Sequence, residues 1–288
     1  MRAEIIVVPF DSGFREKRMG RGPNRLLELG LGERLQALGA DVRIQHVEPP
    51  LDVFPSEIRM AHELHVAVAV AVSGALERQS FPLVLSGNCN VAVGVVAGMQ
   101  MVRRSSPAVF WFDAHADFNT PETTIGGFLD GMAVSMIAGH CWRALIAQVP
   151  GFVPIPESQI LMIGTRDIDP LEQRLLDASD IRVAMRPTNI GAEVDAIIAP
   201  MKSTDSYVHV DLDSLDASEG SANVFAAADG LARAELLDCV DAIGTRAPIV
   251  AATLSAYDPA CDVDGRIGRI AMEVAERLFR HHQQSLAR

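Results

Sequence analysis

Two segments gather acidic side chains at the ends of apolar runs. In WFDAHADFNT, Asp113, His115 and Asp117 stand at i, i+2 and i+4. In extended backbone such residues share one face. In VHVDLDSLDAS, Asp211 and Asp213 repeat the i, i+2 spacing, with Asp216 beyond. Carboxylates at the end of a buried strand are costly unless something cationic meets them. If both strand ends face one site, four carboxylates and one imidazole converge there, and their mutual repulsion raises several pKa values. Two divalent cations resolve that conflict and turn the water they hold into a nucleophile near neutral pH. A lone Asp-x-Asp is more often a cap or a turn. Two such motifs, one of them carrying a histidine, favour a two-metal centre.

The elements that must position these residues alternate along the chain. Candidate strands cover 4–10, 41–47, 81–87, 108–117, 159–165, 181–185, 206–213 and 248–258. Several are nearly continuous apolar runs, the pattern of strands buried on both faces. Helical patterns lie between them at 22–39, 56–79, 90–104, 169–179, 232–246 and 267–284, with another starting at Asp130. Ser56 is the expected N-cap of the second. Repeated βα alternation predicts a three-layer αβα sandwich with a mostly parallel eight-stranded sheet, in a single α/β domain over 1–288. Two long loops, 118–130 and 214–231, follow the two acidic motifs, where long loops usually carry function.

Composition excludes some partners. The 288 residues carry a net charge of −12 and are 49% apolar, which argues against nucleic acid and gives no support for a polybasic membrane contact. The opening MRAEIIVVPF reads as a strand, not a signal peptide, and the apolar run at 66–75 is too short to cross a membrane. The four cysteines, Cys89, Cys141, Cys239 and Cys261, form no CxxC pair. A cytoplasmic setting with reduced thiols is the expectation. His62 and His65 are expected to face solvent or a subunit contact. His140 and Cys141 are expected on a helix, and His281 and His282 on the exposed side of the last one.

The sequence resembles the ureohydrolase (arginase–agmatinase) superfamily over nearly the whole chain. VPFDSGFREKRMGRGPNRL looks like the family's opening strand, loop and first helix, and WFDAHADFNTPETT like its first acidic motif with the Asn-Thr-Pro extension. HVDLDSLD matches the second acidic motif, and SGNCNVAVG stands in place of a Gly-Gly-Asp-His-Ser segment. The resemblance implies an αβα fold, a binuclear manganese site, hydrolysis of a guanidino-type carbon, and a homotrimer or homohexamer. It carries the metal ligands onto Asp113, His115, Asp117, Asp211 and Asp213. The remaining ligand, a histidine in the family, falls on Cys89. Either Cys89 is a small buried residue and one metal position is lost, or its thiolate ligates. Two divalent ions, four aspartates and a bridging hydroxide give a family-type cluster a charge of about −1; a thiolate in place of imidazole makes it about −2. That change favours softer ions such as zinc or iron over manganese.

The resemblance also speaks to substrate. Asn119 and Thr124 sit where arginases bind a carboxylate, and Asp169 where they bind an ammonium, a sound pairing of donors and acceptors. Asn119 could equally hold a turn, and Asp169 could cap the helix at Pro170. Gly126 replaces a usual serine. Asp130 replaces a histidine of the family and is open to two readings, a proton relay or substrate acceptor, or the N-cap of the following helix. Ala256 stands where the family's guanidinium-binding glutamate is found, and the role does not transfer to Asp258. A guanidinium wants that carboxylate, whereas a less basic N-hydroxyguanidine can bind neutral. The altered loop and the non-histidine ligand resemble Nω-hydroxy-L-arginine amidinohydrolases, which release hydroxyurea and ornithine. In the implied mechanism Asp117 accepts a hydrogen bond from the attacking hydroxide, and Asp130 or water protonates the leaving amine. The alternatives are another ureohydrolase (arginase, agmatinase, guanidino-acid hydrolase or formimidoylglutamase), or an inactive binding or assembly subunit.

Overall fold

The eight candidate strands form one sheet. A computed structural model describes residues 1–50, 56–186, 188–202 and 205–287. The strands are β1 (Arg2–Val8), β2 (Asp41–His46), β3 (Ser80–Ser86), β4 (Ala108–Phe112), β5 (Ile160–Ile163), β6 (Arg182–Ala184), β7 (Ser206–Asp211) and β8 (Ile249–Ser255). Their spatial order is β2-β1-β3-β8-β7-β4-β5-β6, and every pairing in it is parallel. β3, β4, β7 and β8 are buried at every position, as expected of strands covered on both faces. A short hairpin, Phe10–Asp11 against Phe14–Arg15, stands apart.

Helices cover both faces, α1 (Gly22–Glu28), α2 (Leu31–Ala37), α6 (Arg143–Ile146), α7 (Pro170–Asp177) and α8 (Ile190–Ile198) among them, and two apolar cores result. One lies under α3 (Glu57–Glu77), α4 (Ala92–Arg103) and α5 (Ala133–Ile137). The other lies under α9 (Arg233–Arg246) and α10 (Arg266–Leu286). The Ser56 hydroxyl caps α3, accepting the Arg59 N–H at 3.2 Å. α3 and α4 cross closely because α4 presents glycines. A Cβ on Gly94 would lie 2.5 Å from the His65 carbonyl, and one on Gly98 2.7 Å from that of Ala69.

This packing corrects several histidine expectations. His62 and His65 are buried, and His65 Nε2 meets Asn90 Oδ1 at 3.0 Å. His281 and His282 are buried too, because α10 packs on α9 and the sheet. His281 bonds Asp241 at 2.7 Å and His282 bonds the Ile249 carbonyl at 2.8 Å. His140 and Cys141 lie in the turn between α5 and a short helix, Arg143–Ile146, not on a helix. The expected 22–39 helix is two, Gly22–Glu28 and Leu31–Ala37, parted at Gly30 with φ 89°. No helix among the described residues is long and apolar enough to cross a membrane.

Candidate metal centre

The two acidic motifs leave neighbouring strands at one level. Phe112 pairs with Val210, and Asp211 with Ser255, so Asp113, Asp211 and Ser255 end three adjacent strands together. Beyond that point the expected extended geometry fails. β4 stops at Phe112, and Asp117 has a left-handed φ of 49°. The side chains converge through turns instead. Asp113 Oδ1 accepts the His115 N–H at 2.8 Å, and Oδ2 accepts the Trp111 indole N–H at 3.0 Å. Asp211 Oδ1 accepts the Asp213 N–H at 2.8 Å, which starts a 3₁₀ turn at Leu212–Ser214. Asp213 then accepts the Ala114 N–H at 3.3 Å and the Asn223 amide at 3.1 Å.

The result is two overlapping donor sets. Ligating atoms of Cys89, Asp113 and Asp117 lie within 4.8 Å of one another, as do those of Asp113, His115 and Asp213. Asp113 belongs to both. Cys89 Sγ lies 3.0 Å from Asp211 Oδ2, which ties the fourth aspartate to the first set. His115 Nδ1 lies 3.3 Å from Asp113 and 3.6 Å from Asp213.

Without a cation this arrangement is electrostatically poor. Burial, then repulsion from neighbouring aspartates, holds Asp117 and Asp211 well above the ordinary carboxylate range. Burial also raises Asp113, with Asp213 adding to it and His115 opposing. Burial disfavours His115 protonation, yet Asp113, Asp213 and Asp167 outweigh it and lift the imidazole to about 9. Burial and the surrounding carboxylates push the Cys89 thiol up. Asp117 Oδ2 is buried with no hydrogen-bond partner among the described residues. An orphaned carboxylate oxygen beside three more carboxylates, a thiol and an imidazole is a donor set that divalent cations fit.

Cys89 sits just past β3, on a turn that needs Gly87. A Cβ there would lie 2.3 Å from the Phe10 carbonyl. Asp130 clamps this turn. Its carboxylate accepts the backbone N–H groups of Cys89 (2.9 Å) and Asn90 (2.8 Å) and the amides of Asn88 and Asn90 (both 2.9 Å). It therefore does not cap the helix that follows it; it holds the 3₁₀ turn Cys89–Val91 that leads into α4. Burial lifts its carboxyl to about 7 against these donors. Behind the sulfur lie Ser255 at 3.2 Å and, 2.9 Å further on, His209. Burial depresses His209 to about 3, so it is neutral.

A cavity of about 280 Å³ opens over the centre. Cys89, His115, Asp117, Asn119, Thr124, Asp130, Asp169, Asp211 and Asp213 all line it; Asp113, 1% exposed, lies behind them. Asn119 reaches both ways, its amide 3.5 Å from Asp169 and its carbonyl oxygen accepting the Thr123 hydroxyl at 2.9 Å. Thr124 accepts the Gly127 N–H at 3.1 Å. Asp169 begins α7 (Pro170–Asp177), and its N–H goes to Glu172 at 3.2 Å. Ala256 lines the cavity with a left-handed φ of 59°. Asp258 is engaged by Arg21 at 2.8 Å.

Other residues of the site had no sequence signal of their own. Glu172 lines the wall and accepts the Phe118 N–H at 2.7 Å; its place three residues after Asp169 is the hint that could have found it. Asn223 bridges Asp213 and the Ala256 carbonyl, the latter at 2.9 Å. Phe225 stacks toward Phe128 at 5.6 Å and meets the His115 ring edge-on at 6.4 Å. Both come from the 214–231 loop, which Arg166 pins through the carbonyls of Ala227 (2.8 Å) and Ala228 (2.7 Å).

The Arginase family model matches residues 1–280, and the chain belongs to that family, one of metal-dependent amidinohydrolases. It is 26% identical to an arginase of Bacillus caldovelox over 291 aligned residues, covering 96% of this chain and 97% of the relative. The fold is that of the arginase of Bacillus cereus, with a TM-score of 0.85 at 24% identity over 97% of this chain and 98% of that one. It is also similar to an Entamoeba histolytica arginase solved in complex with L-ornithine, with a TM-score of 0.84 at 19% identity over 96% and 97% of the two chains.

Proposed function

We propose that this chain hydrolyses the guanidino-type C–N bond of an α-amino acid at a centre of two divalent cations, with Nω-hydroxy-L-arginine as the lead substrate. The observation that carries this reading is one small cavity. Both acidic motifs form its floor, and Asn119, Thr124 and Asp169 stand on its wall. Cys89, Asp113, Asp117 and Asp211 would hold one ion, and Asp113, His115, Asp211 and Asp213 the other. Manganese is the ion that family membership favours, and zinc or iron the ones the Cys89 thiolate favours. When bound, the pair supplies Lewis acidity and activates water for attack on the guanidino carbon.

The chain's own residues do the rest. Asp169 receives the substrate ammonium, and Asn119 and Thr124 donate to its carboxylate. The free Oδ2 of Asp117 accepts a hydrogen bond from the attacking water and holds its proton. Water adds to the carbon, the bond to the side-chain nitrogen breaks, and that nitrogen leaves as the amine after taking a proton. Phe128 and Phe225 keep bulk water from the floor. Ala256 offers no carboxylate, which disfavours a guanidinium and tolerates a neutral N-hydroxyguanidine. The four donors on Asp130 favour a positioning role for it over a proton relay. Because β3, β4, β7 and β8 all contribute, residues 1–288 would act as one unit.

The test is one assay panel with manganese, zinc and iron. Urea, hydroxyurea and ammonia are measured from arginine, hydroxyarginine, agmatine and formimidoylglutamate. Hydroxyurea released in preference to urea supports the reading. Turnover of agmatine alone would point to an agmatinase-type enzyme. An empty centre after metal addition would point to a binding subunit.

A further inference from the structure

Cys89 is backed by a chain of polar side chains that the acidic motifs do not need. From its sulfur the chain runs to Ser255 Oγ at 3.2 Å and to His209 Nε2 at a further 2.9 Å. From His209 Nδ1 it continues to the Tyr207 hydroxyl at 2.9 Å, and from there to Thr253 Oγ1 at 2.8 Å. Tyr207 and His209 lie on β7, Thr253 and Ser255 on β8, and the alternation of each strand turns its pair to one face. Thr253 pairs with His209 and Ser255 with Asp211. Ser255 is 1% exposed and the other three 0%. His209 lies flat on Trp111, rings 3.7 Å apart and 5° from parallel, and Trp111 donates to Asp113. A sheet face elsewhere lined by Ile6, Val8, Val84, Val109 and Met162 has no structural need for this network, which stabilises only when fully satisfied.

The donors count out in one direction. A neutral imidazole donates once and accepts once, so it aligns the hydroxyls either all toward Cys89 or all away from it. Aligned away, the Thr253 hydroxyl proton has no acceptor among the described residues. Aligned toward, Thr253 donates to Tyr207, Tyr207 to His209, His209 to Ser255, and Ser255 to the Cys89 sulfur. The Val210 carbonyl, 3.4 Å from Ser255 Oγ, is the more distant competitor for that last proton.

We infer that Thr253, Tyr207, His209 and Ser255 form a positioning relay that aims a hydroxyl donor at Cys89 and so fixes and tunes its sulfur as a ligand to a divalent cation. This rests on the reading of Cys89 as a ligand. A hydrogen bond to a ligating sulfur draws some electron density from it, but it also favours the thiolate over the thiol and fixes the direction of its lone pair, and groups that orient ligands in this way are commonly worth about 10–100-fold in metal affinity. The relay gives a reason for thiol rather than imidazole at position 89: Ser255 is a short donor matched to a sulfur held 3.2 Å away.

The test uses cobalt(II) as the probe on the full chain, read by absorption and by metal-binding titration. Wild type is expected to show a sulfur-to-cobalt charge-transfer band. Ser255→Ala should shift that band to longer wavelength and weaken cobalt binding about 10–100-fold, and Ser255→Thr should restore both. Tyr207→Phe, which interrupts the chain further from the sulfur, should give a smaller shift of the same sign. In a Cys89→Ala background Ser255→Ala should change cobalt affinity no further. An equal loss in that background, or an unmoved band in both single variants, overturns the relay while leaving Cys89 as a ligand. Absence of the band in wild type overturns both.

Discussion

The Asp130 carboxylate receives the backbone N–H of Cys89 at 2.9 Å. The same carboxylate takes the N–H of Asn90 and two side-chain amides, so both of its oxygens are committed to the turn that carries the thiol. Asp130→Ala leaves two buried backbone donors without their partner, at a cost of about 3 kcal/mol or more. It should lower Tm and release metal from the side of the centre that holds Cys89. Asp130→Asn keeps one acceptor and should show about half the loss. Metal content read beside kcat decides the role. A variant that keeps full metal but loses kcat would make Asp130 a proton relay instead of a clamp.

Cys89→His tests what the thiol does for metal choice. Imidazole in place of thiolate makes the cluster less negative and harder, so the variant should favour manganese over zinc relative to wild type. The Ser255 hydroxyl then faces a larger ring, and crowding of the kind that costs about 1–3 kcal/mol should appear as a lower Tm. Metal analysis of both proteins after growth in the same medium checks the first point. Unchanged identity, occupancy and rate would remove Cys89 from the ligand set.

Much of this architecture was legible because burial writes itself into sequence. The inner runs became strands because strands covered on both faces must be apolar throughout, whereas the runs at 41–47 and 181–185 became the largely exposed edge strands β2 and β6. The acidic motifs were legible for the opposite reason, as charge where the pattern demands none. What the sequence hid was turn geometry and packing partners. Asp117 reaches the centre through a left-handed residue, not along an extended strand. His65 reads as an exposed residue on an Ala-Val helix until Gly94 brings α4 against it. Asn223 and Phe225 join the site only because Arg166 ties down a loop with no motif of its own. Ser255 and His209 look like ordinary strand residues until the pairing of β7 with β8 sets them diagonally across from each other, 2.9 Å apart.

Asp169→Asn probes the ammonium contact. A hydrogen bond to a charged partner is worth about 1.5–3 kcal/mol, so kcat/KM on an α-amino acid substrate should fall roughly 10–100-fold. The loss should appear mostly in KM, because the contact is remote from the reacting carbon. On a substrate without an α-amino group the same variant should change little. Asn119→Ala should follow the pattern more weakly, since its carbonyl also holds Thr123. Equal losses on both substrate types would assign Asp169 to the capping of α7 alone.

His65 provides a pH signature in stability that is separate from catalysis. Burial lowers its imidazole from 6.5 to about 4, and its ring nitrogen bonds Asn90 beside the Cys89 turn. The facing groups on the packed elements are His62 on α3, itself lowered by burial, and the uncharged Asn90. A histidine with a depressed folded pKa favours the native state above its unfolded pKa, because only the unfolded chain takes up the proton as the pH falls. That contribution is therefore complete above pH 6.5 and is lost between pH 6.5 and about 4, with a ceiling of about 3 kcal/mol. His65→Gln keeps a group able to donate to Asn90 and removes the titration. Denaturant melts of both proteins across that window should show the wild type losing more stability than the variant on acidification, with the gap closing above pH 7. Parallel curves would mean that His65 is protonated, or solvated, in the folded protein.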